Sequence, residues 1–154
     1  HNAAMRPKTE MLLLAASRAQ LVEQVIRPAL SAGQIVLSDR YADSTLAYQG
    51  YGHGLDPALV RQLVQIATDG LQPDLTLLFD LDVEEGLRRR KSSGGEWNRL
   101  DAYGLEFHRR VRAGYLQLAA ADPARWVVIN ADRPLADVQA EAEQHVLERL
   151  RGEK

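Results

Sequence analysis

Cysteine is missing altogether from these 154 residues. Its absence excludes a disulfide scaffold, a thiol nucleophile and a Cys-based zinc site. Long hydrophobic runs are missing as well. The longest apolar stretch, Met11 to Ala16, falls far short of the roughly 20 residues that a membrane-spanning helix needs. The first residues, His1-Asn2-Ala3-Ala4-Met5-Arg6-Pro7, lack the apolar core of a signal peptide. Neither sign of charge dominates: 19 basic against 21 acidic residues leave a net −2, so nothing global points to nucleic acid or to a membrane surface. The four histidines, His1, His53, His108 and His145, have no ligand spacing. Ser17 and Ser44 have no His/Asp pattern beside them. A zinc site and a hydrolase triad therefore find no support. The chain reads as soluble and cytoplasmic.

What is present is enough for one domain with a real core. From Thr9 to about Ala29, Leu13, Leu14, Leu21, Val22, Val25 and Ile26 recur at helical spacing, with Pro28 expected to kink or end the helix and Gly33 to stop it. Ile35-Val36-Leu37 then reads as a buried strand that delivers Ser38-Asp39-Arg40-Tyr41 at its C-terminal end. Asp43-Ser44 can cap a short helix toward Gln49, followed by a glycine-rich turn, Gly50 to Gly54. Asp56-Pro57 offers a cap and a first-turn proline for a helix to about Thr68. Leu75 to Leu81 is a second strand, Asp82 to Lys91 a helix, and Ser92-Ser93-Gly94-Gly95 a loop. A long helix from Asp101 to about Ala121, a third strand at Trp126–Asn130 and a closing helix from Pro134 to Leu150 complete the reading. Apolar strands alternating with amphipathic helices predict a single α/β domain, a parallel sheet with helices on both faces.

Ligands in such sheets gather at the carboxyl ends of strands. That singles out Asp39 and Arg40: the carboxylate suits a magnesium ion and the guanidinium a phosphate. On spacing alone the same pair also reads as a turn cap with a surface ion pair. Arg88, Arg89, Arg90 and Lys91 form a second basic cluster. Helix periodicity lets only one or two of them converge on a phosphate, and a solvated helix end is the plainer reading. The Ser/Gly loop that follows points instead to a mobile basic lid. Arg18, in a helix apolar on one face, either snorkels or reaches a ligand carbonyl.

Together these segments resemble bacterial thymidylate kinase. The resemblance runs through the Thr9–Leu30 helix and through Asp39-Arg40-Tyr41-Ala42-Asp43-Ser44-Thr45-Leu46-Ala47-Tyr48-Gln49-Gly50. It continues in Pro73–Asp82, Arg99-Leu100-Asp101 and Phe107–Arg112 with Tyr115. It implies a P-loop NTPase fold of the nucleoside monophosphate kinase type, with dTMP as acceptor and ATP with Mg2+ as donor. Carried over, Asp39 would organise magnesium and Arg40 would clamp the dTMP phosphate. Arg18 would hydrogen-bond thymine, Thr45 and Gln49 would line the nucleoside pocket, and Tyr48 would pack on the deoxyribose. In a lid spanning about 88–99, Arg90, with Arg88 as its alternate, would neutralise the transferring phosphoryl group, and Arg99 would face phosphate. The Thr9–Ile26 helix would form a homodimer face.

Two departures stand out. Leu14 occupies a position where the family usually carries an aromatic residue that stacks on thymine. No G-x-x-x-x-G-K-[ST] pattern occurs anywhere in the chain. By the resemblance, a strand, P-loop, helix and second strand, on the order of 40–60 residues, should come first. Their strand would lie between the one ending at Asp39 and Leu75–Leu81. The expectation is therefore a fragment of a longer kinase, inactive by itself. A non-catalytic nucleotide-binding remnant and a dimerising interaction module are the alternatives.

Overall fold

The structure, a computed structural model, describes residues 5–92, 94 and 103–152. Its contacts divide the chain into two units, 1–72 and 73–154, which are built differently.

The first unit is helical throughout its described elements. Helix α1 (Pro7–Leu21) opens on a proline, whose missing N–H is one the first turn leaves unsatisfied anyway. Met11, Ala15, Val22 and Ile26 are buried along one face. Pro28 does not end the helical run. A five-residue π turn, Val22–Ile26, leads directly into α2 (Arg27–Ser31), with the proline in the first turn of α2. Proline lacks an N–H and its ring crowds the carbonyl four residues back, and a widened turn relieves both conflicts. Gly33 then stops the run at φ +72°, a conformation that favours glycine.

Residues 34–38 form no strand and no other regular element. Ile35 and Leu37 are 64% and 85% exposed, which corrects the expected buried strand. A strand exists only through its ladder, and no strand among the described residues runs beside this one. The short α3 (Ala42–Thr45) starts after Tyr41 with no side-chain cap, so Asp43 lies inside the first turn and does not cap it. A second π segment, Leu46–Gly52, carries the helix through Gly50 and Gly52, where a turn was expected. Both glycines are buried, in a segment that packs against α4. Helix α4 (Pro57–Thr68) matches its sequence signature: Asp56 Oδ1 accepts from the Ala58 amide at 2.9 Å, and Asp69 closes the helix in a left-handed conformation. It packs on α1, burying Val60 completely.

The second unit holds the sheet. Strands β1 (Thr76–Asp80) and β2 (Trp126–Asn130) pair in parallel, from Thr76 opposite Trp126 to Asp80 opposite Asn130. Parallel neighbours need a long crossover, supplied here by α5 (Val83–Ser92) and α6 (Leu105–Ala121). Helix α7 (Leu135–Arg151) follows β2 and packs on it. Ile129 and Trp126 are buried, Phe107, Val111 and Ala119 are the buried apolar residues of α6, and Tyr115 meets Trp126 edge-on at 6.3 Å. The expected α/β class with a parallel sheet is what forms. Leu100, Asp101 and half of the expected lid, Arg99 included, lie outside the described residues. No helix among the described residues is long and apolar enough to cross a membrane.

Candidate functional site

In the first unit, the polar side chains singled out by sequence include two contacting pairs, Arg18 with Thr45 and Arg40 with Tyr48. Arg18 sits on the turn of α1 above the buried Ala15, half-exposed. Its Nη1 donates to Oγ1 of Thr45 at 2.6 Å, and Thr45 itself is 1% exposed. A hydroxyl so buried needs a partner, and a charged donor makes this one of the stronger bonds of the unit, about 1.5–3 kcal/mol. The guanidinium of Arg18 also stands 5.6 Å from the centre of the Tyr41 ring. Tyr41 in turn donates its hydroxyl to the Leu71 carbonyl at 3.3 Å. Burial pushes the Tyr41 phenol above its ordinary pKa, with the charges of Arg18 and Arg27 partly opposing.

Asp39 and Arg40 lie on the exposed connection just before α3. Ser38 Oγ donates to the Arg40 carbonyl at 2.7 Å, which shapes the bend. The Arg40 guanidinium lies over the Tyr48 ring, 4.8 Å from its centre, and donates through Nη2 to its hydroxyl at 3.2 Å. This holds an exposed guanidinium by the ring and one N–H, leaving its other donors to solvent or a ligand. Gln49 is 2% exposed, and its Oε1 accepts no hydrogen bond from any described residue. A buried acceptor left so costs about 1–3 kcal/mol, so an outside donor is favoured there. Asp39 stands apart from other acids, and the described residues hold no cluster of three metal-binding side chains. One carboxylate is nonetheless enough protein ligand for a magnesium ion bound mainly by phosphate oxygens and water.

In the second unit, the basic cluster ends α5. Asp82 caps the helix by accepting from the Glu84 and Glu85 amides. Arg88 and Arg89 both donate to Glu85, at 2.6 Å each. Arg89 reaches further, to the Ala131 carbonyl at 3.0 Å and to Asp132 at 2.7 Å, tying α5 to the loop after β2. These bonds depress the Glu85 carboxyl to about pKa 2. Arg88, the alternate lid cation of the sequence reading, is engaged by Glu85 here. Arg90, two residues on, is half-buried. At the carboxyl end of β1, Arg112 of α6 grips Asp80 with two bonds, 2.7 and 2.9 Å, in the fork geometry that suits a carboxylate.

Sequence reasoning assigned no role to Tyr41, although it follows the Asp39-Arg40 pair directly. Its adjacency to that pair was the available signal. The pairing of Glu10 with His53, whose Oε2 and Nε2 stand 3.6 Å apart on largely buried side chains, was not legible, because 43 positions separate them.

A family model described as thymidylate kinase matches residues 1–142, a span that takes in every site residue named above. The chain belongs to the thymidylate kinase family. A thymidylate kinase of Roseiflexus sp. (strain RS-1) is 52% identical over 151 residues, covering 91% of this chain and 66% of that protein. One of Geotalea uraniireducens (strain Rf4) is 46% identical over 154 residues, covering 97% and 72%. The crystal structure of thymidylate kinase from Ehrlichia chaffeensis superposes with a TM-score of 0.75 at 30% identity, covering 95% of this chain and 67% of that one. The chain thus spans about two thirds of the length of the thymidylate kinases it resembles.

Proposed function

We propose that this chain is the acceptor-binding part of an enzyme that transfers a phosphoryl group from ATP to dTMP, giving dTDP. The observation that carries this reading is the two ordered arginines of the first unit, each held by its own partner. Arg18, ordered by Thr45, presents donors to a base carbonyl. Arg40, laid on Tyr48, presents donors to a phosphate. Thymine offers two carbonyls and one N–H, so a cationic donor and the buried Gln49 amide oxygen suit its edge. In the same reading Asp39 contributes the protein ligand to Mg2+, which would lower the charge on the phosphates. Arg90 and Arg99 face the transferring phosphoryl group, and the two units are parts of one kinase domain. Catalysis here is chiefly positioning and charge neutralisation. The chain contains no phosphate-cradling Gly-x-x-x-x-Gly-Lys loop, so ATP would be held by residues of the full-length protein beyond these.

We also read the Thr9–Ile26 helical run, α1 with the π turn after it, as part of a homodimer face. Leu12, Leu13, Leu14, Leu21 and Val25 are between 42% and 55% exposed, a wider apolar stripe than the packed face of the helix uses. Titration calorimetry with dTMP and with dCMP tests the main reading. Preferred binding of dTMP supports it. No dTMP binding by the full-length protein, or equal binding of the two nucleotides, sinks it.

A further inference from the structure

We propose that Tyr41 is a positioning residue for base recognition, acting through Arg18 and not by touching the nucleotide. The inference rests on the dTMP reading above. Two of the contacts of the Arg18 head matter here: Thr45 accepts from Nη1 at 2.6 Å, and the centre of the Tyr41 ring lies 5.6 Å from Cζ. The first sets one N–H direction and the second holds the head near the ring, since a guanidinium over an aromatic face is drawn toward it by the ring quadrupole. Tyr41 is itself held at both ends. Its backbone leads into α3, and its hydroxyl donates to the Leu71 carbonyl just after α4. The ring is thus a wall carried by two segments other than the helix that bears Arg18. A flexible arginine loses substantial rotamer freedom when it grips a ligand. One already ordered by a wall and an acceptor loses less on binding, which raises affinity without a new ligand contact.

Three variants and one spectroscopic reading test this. Tyr41→Phe keeps the ring and loses the bond to Leu71. Tyr41→Leu loses the ring, and Arg18→Ala removes the residue through which Tyr41 is said to act. Titrated with dTMP, the full-length Tyr41→Leu protein should bind roughly three- to tenfold more weakly. Tyr41→Phe should stay within about twofold of wild type. In the Arg18→Ala background, Tyr41→Leu should add less than about twofold. An unchanged Tyr41→Leu affinity overturns the proposal. So does an equal loss in Tyr41→Phe, or a full further loss in the Arg18→Ala background, since either would mark a merely structural role. If Tyr41→Leu does not fold, Tyr41→Met takes its place with the same expectations. Independently of any ligand, the Arg18 Hδ protons should show an upfield ring-current shift in wild type and Tyr41→Phe that vanishes in Tyr41→Leu. Its absence in wild type also overturns the proposal. Should wild type fail to bind dTMP, the function proposed above falls, and this shift alone decides whether Tyr41 positions Arg18.

Discussion

Arg18 and Arg40 are ordered by different means. Arg18 is tied to a buried hydroxyl, whereas Arg40 rests exposed on the Tyr48 ring and its hydroxyl. Replacing Arg40 with Ala should cost about 1.5–3 kcal/mol in dTMP affinity, the worth of a charge-assisted bond to phosphate. Titration calorimetry on the full-length protein measures this, and an unchanged affinity would reject the assignment. Glu85 makes a prediction about pH. Its folded pKa is depressed to about 2 by hydrogen bonds from Arg88 and Arg89. A depressed carboxyl contributes stability above its unfolded value, near 4.5, and that contribution is lost as the pH falls from there toward 2. An NMR titration should place its midpoint near 2 in wild type. In the Arg88→Ala, Arg89→Ala double variant the midpoint should return toward the ordinary carboxyl range. These residues were legible as types, because a cation beside a strand end or a Ser/Gly loop advertises phosphate chemistry. Their partners were not. Glu85 lies three and four residues before its arginines and could be guessed from helix spacing, but Asp132 and Thr45 reach theirs only through the fold.

At the scale of elements, local signals proved reliable where they are chemically complete. Asp56-Pro57 caps and starts α4 as its sequence implies, with the Asp56 carboxylate on the Ala58 amide. Asp56→Ala should lower stability by about 1 kcal/mol, within the roughly 0.5–2 kcal/mol spread of such caps. Urea denaturation followed by circular dichroism would show it as a lower midpoint at constant slope. Asp82 heads α5 in the same way. Where a segment depends on a distant partner, the local signal fails. Ile35-Val36-Leu37 has the composition of a buried strand, yet 34–38 forms no regular element and leaves Ile35 and Leu37 exposed, because strand character is conferred by a neighbour. Pro28 shows the converse. Its local rule foretold a kink or an end, and the π turn before it keeps the helical run going.

For the whole molecule, the exposed stripe on α1 predicts self-association. Sedimentation of the full-length protein should show a dimer at micromolar concentration. The double variant Leu13→Glu, Val25→Glu, both positions being more than half exposed, should shift it to monomer with little change in folding. A monomeric wild type would dismiss the interface. The 154 residues by themselves should bind dTMP yet form no ADP in an ATP-coupled assay, while the full-length protein turns over. Robust dTMP-dependent ADP release from the shorter chain would contradict the assignment of the ATP site to residues outside it. What the sequence by itself determined is whatever depends on neighbours a few positions apart. This covers the α/β alternation in 73–154, the helix starts at Asp56 and Asp82, and a motif run specific enough to indicate the family. Only the tertiary structure decided which side chains meet across the chain. Arg18 joins Thr45 and Tyr41 from positions more than 20 residues away, Asp80 meets Arg112 from the middle of α6, and 34–38 joins no strand among the described residues. The physical reason is the range of the forces involved. Capping, turn chemistry and helical spacing act over one or two turns of chain, whereas a hydrogen bond or a strand ladder answers only to distance in space.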